Sequence, residues 1–316
     1  MIRYILKRLL LLIPTVLLVS FLIFMILDLA SGDVISALTG DSTLEEKEIM
    51  RHELGYDRSV VYRFWVYLKG LIRGDLGESL IMGEPVWNIY FQRLPYTIIL
   101  ALASCIVCYV ISIPLGIVAA LHQGSLIDNG CTVLALLGLS IPNFWLGLML
   151  IIAFSLKLGW LPSIGFSGFK SIILPALTVG TGMTALLMRT TRSSMVDVIR
   201  QDYLRMLRAK GVPENKVIYK HAFKNALIPI LTIAGQQFAS CLGGAVITET
   251  VFTWPGVGRL TVYAINQRDT VLATGCIIMT TVINCIVVLI VDVLYAYVDP
   301  RVKAQYIRSA KRRVKK

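Results

Sequence analysis

Residues 202–229 read Asp202-Tyr-Leu-Arg-Met-Leu-Arg-Ala-Lys-Gly211-Val-Pro213-Glu-Asn-Lys216-Val-Ile-Tyr-Lys220-His-Ala-Phe-Lys-Asn-Ala-Leu-Ile-Pro229. They form most of a polar segment, 189–229, that separates two apolar runs of membrane-spanning length. The segment carries nine basic residues (Arg189, Arg192, Arg200, Arg205, Arg208, Lys210, Lys216, Lys220, Lys224) against three acids (Asp197, Asp202, Glu214). A loop so rich in Lys and Arg stays on the cytoplasmic side, which orients everything around it. The pattern predicts two helices with a stop between them. Gly211 is a natural helix end, and Pro213 suits the first position of a new helix, where its missing N–H costs nothing. In the second helix Ile218, Ala222 and Ala226 recur every fourth residue, and Lys216, Lys220 and Lys224 do so two positions earlier. Two positions are about 200° of helical rotation, so the apolar and basic stripes face opposite ways.

Composition sets the class. Hydrophobic residues make up 56% of the 316 and charged residues 16%, with a mean hydropathy of +0.72. Soluble domains carry about a quarter charged residues, so this is a polytopic all-α integral membrane protein. The net charge of +12 is concentrated in the 189–229 segment, in Arg3, Lys7 and Arg8, and in the tail at 301–316. Charge gathered on one side of a membrane is a topology signal and does not indicate nucleic-acid binding. The six cysteines (Cys105, Cys108, Cys131, Cys241, Cys276, Cys285) lie in or beside apolar runs and read as small core residues. His52, His122 and His221 are scattered without metal-ligand spacing.

Working outward, hydropathy predicts six spans with both termini cytoplasmic: 9–29, 97–120, 131–156, 172–188, 226–250 and 271–297. The first follows a basic start but exceeds the length of a signal-peptide core, so it reads as an uncleaved helix. Residues 1–30 are thus the N-terminal tail and first span, and 31–96 an extracytoplasmic segment. A core of five spans fills 97–300 with the cytoplasmic loop at 190–226, and 301–316 is a basic tail. In the outer segment Thr43 and Glu46 make a capping box, Gly55 is a stop, and Val61, Trp65, Leu68 and Ile72 recur at helical spacing. That stripe is expected to press on the membrane surface or on the protein. Gly180 and Gly182 are placed to let helices approach closely. The turn Trp254-Pro255-Gly256-Val257-Gly258-Arg259 carries a tryptophan suited to a membrane interface.

No Gly-x-x-x-x-Gly-Lys-Ser/Thr, Gly-x-Ser-x-Gly or His-Glu-x-x-His stretch occurs, so this chain holds no P-loop nucleotide and no familiar hydrolytic centre. Energy for any work by this chain must come from an ion gradient or from another polypeptide. A gradient calls for ionisable residues at mid-bilayer, whereas the midspan polar groups here are the amides Asn143, Gln236, Gln237 and Asn284. Asp28, Glu249 and Asp292 fall towards helix ends. Each amide reads either as packing glue between helices or as a substrate contact.

Residues 202–229 resemble the cytoplasmic coupling loop of ABC importer permeases, and most closely that of the peptide and nickel class. The resemblance extends along the chain through Gly74-Asp75-Leu76-Gly77, Ile141-Pro142-Asn143-Phe144-Trp145, Thr190-Thr191-Arg192-Ser193-Ser194-Met195 and Trp254-Pro255-Gly256-Val257-Gly258-Arg259. One departure is that Arg205-Met206-Leu207 stands where the general importer loop begins Glu-Ala-Ala. The resemblance implies a type I ABC importer permease fold in a bacterial cytoplasmic (inner) membrane. It also implies a second, non-identical permease, two ABC ATPase subunits that hold ATP and Mg, and an external binding protein. This chain would then be no enzyme and would hold no cofactor. It further implies ATPase coupling through Arg208, Ala209, Lys210, Gly211, Val212, Pro213, Lys216, Val217, Lys220 and His221. Asp75, Trp254, Pro255 and Arg259 would form an outer gate or meet the binding protein. Di- or oligopeptides are the implied substrates, with nickel or a metal chelate as the alternative, and a gradient-driven carrier or channel is the reading from a different class.

Overall fold

A computed structural model describes residues 2–29, 35 and 43–298. The tail 301–316, the outer stretches 31–34 and 36–42, and the side chains of Arg3, Lys7, Arg8 and Asp28 lie outside the described residues. Chain order gives α1 Ile2–Leu29, α2 Leu44–Glu53, α3 Val60–Ile72, α4 Val86–Leu121, α5 Leu126–Ser140 and α6 Asn143–Leu150, which runs on as a π-helical turn Ile151–Lys157. After these come α7 Phe169–Ile199 and α8 Asp202–Ala209, then a π-helical turn Lys216–Ala222 that continues as α9 Phe223–Gly244, and finally α10 Val246–Val251, α11 Val257–Asn266 and α12 Thr270–Val298.

Five stretches among the described residues are long and apolar enough to cross a bilayer: Leu10–Leu27, Val86–Leu121, Phe169–Ile199, Lys216–Gly243 and Thr270–Val293. The pair Leu126–Ser140 and Asn143–Lys157, bent by 93°, makes a sixth. The straight third span expected at 131–156 is therefore broken at Ile141-Pro142. Proline lacks the N–H that would continue the ladder and pushes its predecessor out of the helical region, and Ile141 is extended at ψ 123°.

Three other boundaries differ from the hydropathy windows. α4 begins at Val86, so residues 86–96, expected outside, are helix; its 36 residues measure about 54 Å, well beyond a 30 Å hydrocarbon core. α7 continues past Met188 to Ile199. Polarity ended the apolar window there, but buried Thr191, Met195 and Val198 keep the helical period. The fifth span starts in the π-helical turn and stops at Gly244, so Val246–Val251 is a separate short helix.

α4 and α7 pack with their backbones close together. A Cβ on Gly180 would stand 2.7 Å from Ser104 O, and one on Gly182 2.9 Å from Asn143 Oδ1. Cys105, Cys108, Cys241 and Cys276 are buried among the helices. On the outer segment the Thr43–Glu46 capping box closes in both directions, at 3.4 and 3.0 Å. α3 docks on α1 through Phe64 and Tyr67, whose rings lie 5.2 Å from Phe21 and 5.1 Å from Phe24. Of the expected stripe, Val61, Trp65 and Ile72 are exposed and Leu68 is half-buried, so it faces away from the protein, where a membrane surface can receive it.

Candidate functional site

The basic segment forms a bracket on the ends of α7 and α9. α8 closes with a glycine cap: Val212 N–H donates to Leu207 O at 3.2 Å, Gly211 N–H donates to Arg208 O at 2.9 Å, and Gly211 has φ +76°. A Cβ there would meet nothing within 4 Å, so backbone conformation rather than space calls for glycine. Pro213 precedes the next helix instead of opening it, and its carbonyl accepts the first helical N–H, from Val217 at 3.1 Å. Arg208 reaches across the turn to Glu214, with Nη2 to Oε1 at 2.8 Å and Nε to Oε2 at 3.0 Å. That guanidinium holds the Glu214 carboxyl below its ordinary range.

Leu204, Val217, Ile218, Ala222 and Ala226 are buried together with Met195 and Val198, so both helices of the bracket share one core with α7. Tyr203 fastens them further: its hydroxyl accepts from Asn225 Nδ2 at 2.6 Å and donates to His221 O at 3.3 Å. The apolar stripe of Ile218, Ala222 and Ala226 faces in, while Lys216, Lys220 and Lys224 are exposed. Val217 is wholly buried and presents no surface, whereas Arg208 keeps about a third of its side chain exposed while paired with Glu214. Met206 and Tyr219, 52% and 57% exposed, stand out as large side chains on the bracket. The sequence reading passed over both, although an exposed Met beside an Arg at the apex of a polar loop was a usable signal.

At the opposite end of α7 and α9 several polar side chains are buried. Trp254, expected at an interface, is 0% exposed; its Nε1–H donates to Tyr96 O at 3.0 Å and its ring meets Phe166 edge-on at 5.3 Å. Beside it Glu249 is also 0% exposed. Thr97 Oγ1–H donates to Glu249 Oε1 at 2.7 Å and Arg259 N–H donates to Oε2 at 3.0 Å. The carboxylate thus caps the start of α11, where helix N–H groups and the helix dipole favour an anion. This accounts for the glycines of the Trp254–Arg259 motif, since a Cβ on Gly256 would run into the Glu249 carboxylate. Thr97 and Glu249 were missed as a pair, though an acid at the end of an apolar run was the visible clue. Pro255 is half-buried, and Arg259 is exposed with its Nη1 donating to Thr253 O at 2.9 Å.

The remaining residues separate. Asp75 is exposed and accepts from Gly77 N–H at 2.8 Å, closing its own turn. Next to it Ser79 Oγ–H donates to the buried Asp269 at 2.6 Å, and Leu272 N–H donates to Asp269 Oδ1 at 2.9 Å, which pins the turn to the start of α12. Of the four amides, Asn143 and Gln237 line one cavity of about 390 Å³ where the third span breaks. Gln237 is held there by donating to Met183 O at 2.7 Å. Asn284 lines a different cavity, of about 290 Å³, and Gln236 is exposed elsewhere.

Residues 112–304 match the family described as "Binding-protein-dependent transport system inner membrane component", and residues 1–101 match the corresponding N-terminal family. The "Glutathione transport system permease protein GsiC" of Escherichia coli (strain K12) is 38% identical over 304 residues, covering 96% of this chain and 99% of that protein. The protein of the same description from Shigella flexneri serotype 5b (strain 8401) is likewise 38% identical over 304 residues, with the same coverage. In fold, the chain is similar to a structure titled "Inward facing conformations of the MetNI methionine ABC transporter: CY5 native crystal form". The TM-score is 0.55 at 17% sequence identity, covering 70% of this chain and 100% of that one.

Proposed function

This chain belongs to the binding-protein-dependent transport system inner membrane components, as an ABC importer permease of the peptide/nickel class with the type I fold, and on that premise we propose that it carries small peptides, glutathione-like tripeptides included, into the cell. The near full-length 38% identity to a permease described as a glutathione transporter carries the substrate reading. The lining around Asn143 and Gln237 is compatible with it. Uncharged amides offer donors and acceptors to a peptide backbone without selecting a side chain. Selection then rests with an external binding protein.

The bracket at residues 202–222 lies in the cytoplasm, because its basic excess follows the positive-inside bias. It is the handle for two ATPase subunits that bind and hydrolyse ATP with Mg, and a second, related permease completes the pathway. Arg205, Met206, Lys210, Lys216, Tyr219 and Lys220 are the exposed groups that would enter an acidic, partly apolar groove on the ATPase. Force on α8 passes into the end of span four through residues 200–201 and into span five through the unbroken helix from Lys216. The test is reconstitution of the permease pair with its ATPases and binding protein in liposomes, followed by uptake of a library of di- and tripeptides containing glutathione, read by mass spectrometry. ATP-dependent accumulation of library members is the expected result. Uptake driven by an ion gradient with no nucleotide present would overturn the reading.

A further inference from the structure

Asp128 and Arg192 form an ion pair for which neither the bracket nor the cavity has a use. Asp128 lies in the first turn of α5, just after the Gly124–Ser125 turn that joins spans two and three, and is 3% exposed. Arg192 lies on the part of α7 that runs beyond the expected fourth span towards the bracket. The two side chains meet in a two-pronged pair, with Arg192 Nε donating to Asp128 Oδ1 at 2.6 Å and Nη2 donating to Oδ2 at 2.5 Å. Asp128 Oδ2 also accepts from Gly124 N–H at 2.9 Å, so one carboxylate gathers the turn and binds it to α7. A second bond runs alongside, from Arg200 Nη2 to Gln123 Oε1 at 3.0 Å.

Two helices packed only through apolar side chains can slide past each other by small shear movements. A planar guanidinium held at two points by a buried carboxylate fixes both distance and orientation, and so resists that sliding. The pair is also placed where force arrives, between the span-four helix and the turn at Arg200 that leads into α8. We propose that Asp128 and Arg192 are positioning residues, a clamp that makes the turn between spans two and three move as one body with the inner end of span four. The stroke delivered at the bracket thereby reaches the bent third span and its Asn143 cavity. This proposal rests on the permease reading above.

Breaking the clamp is asymmetric. Removing the arginine strands a buried carboxylate, whereas removing the aspartate's charge leaves a neutral amide and an arginine that can turn to water. In the reconstituted importer, using the same peptide library, Arg192→Gln should lower peptide transported per ATP hydrolysed by about fivefold or more, with the amount of co-purified ATPase unchanged. Asp128→Asn should lower it less. Arg192→Gln with Asp128→Asn together should return to the Asp128→Asn value rather than to the product of the two losses. Arg192→Lys, which keeps the charge but not the fork, should fall between wild type and Arg192→Gln. A normal ratio in Arg192→Gln, multiplicative losses in the double variant, or loss of co-purified ATPase would each overturn the clamp. If Arg192→Gln does not fold, the comparison of Asp128→Asn with wild type decides, and an unchanged ratio overturns the proposal. A wild-type complex without ATP-dependent uptake would instead remove the permease reading itself, a separate and recognisable result.

Discussion

The two ends of the bundle are held by opposite means. At the bracket, charges lie on the surface and the tie across the turn, Arg208 to Glu214, is 35% and 53% exposed at its two side chains. At the far end Glu249, Trp254 and Asp269 are each 0% exposed and bonded across elements far apart in sequence. Exposed ion pairs contribute about 0–1 kcal/mol, whereas stranding a buried charge costs about 3–5 kcal/mol. One end thus presents its charges on the surface, and the other keeps its polar groups inside, bonded across elements far apart in sequence.

Perturbing each end should reveal that difference, and the largest effect belongs to the sealed end. Trp254→Ala removes a buried ring and its bond to Tyr96 and should cost about 3–5 kcal/mol. Thermal unfolding of the detergent-solubilised complex should shift down by several degrees; an unchanged midpoint would mean that the far end is not sealed as described. Thr97→Val takes one donor from the buried Glu249 carboxylate while keeping the side chain's shape, for a loss of about 1–3 kcal/mol in the same measurement. At the bracket, Glu214→Gln should cost well under about 1 kcal/mol, because the pair is largely in water. The sign with pH follows from the depressed Glu214 carboxyl. Its contribution is present above the ordinary value of 4.5 and is lost as pH falls below it. Thermal stability followed downwards from neutral pH should therefore lose the Glu214 contribution only below that point, and Glu214→Gln should remove this component.

The same contrast explains what could be read from sequence. The bracket was legible because its determinants are local: charge density, Gly211 as a stop, and the period of Ile218, Ala222 and Ala226 just after it. Even there Pro213 precedes the helix it was expected to open, and Val217 is buried although it was expected to meet a partner. The sealed end was not legible. Its bonds join Thr97 to Glu249 and Tyr96 to Trp254, separations of 152 and 158 residues that no spacing rule links. Trp254 was read as an interface residue because composition cannot tell a ring facing lipid from one enclosed by Phe166 and α4. The broken third span hid for a related reason: the apolar run is continuous across Ile141-Pro142, and the proline's effect on the backbone leaves hydropathy untouched.

The central claim is that movement enters at the bracket and depends on its left-handed turn. Gly211→Val places a β-branched residue at φ +76°, where it is strained although its Cβ would meet nothing within 4 Å. Simultaneous measurement of ATP hydrolysis and peptide uptake in proteoliposomes carrying this variant should show hydrolysis continuing while uptake falls about tenfold or more. Uptake at the wild-type rate, with the variant normally inserted, would contradict the account.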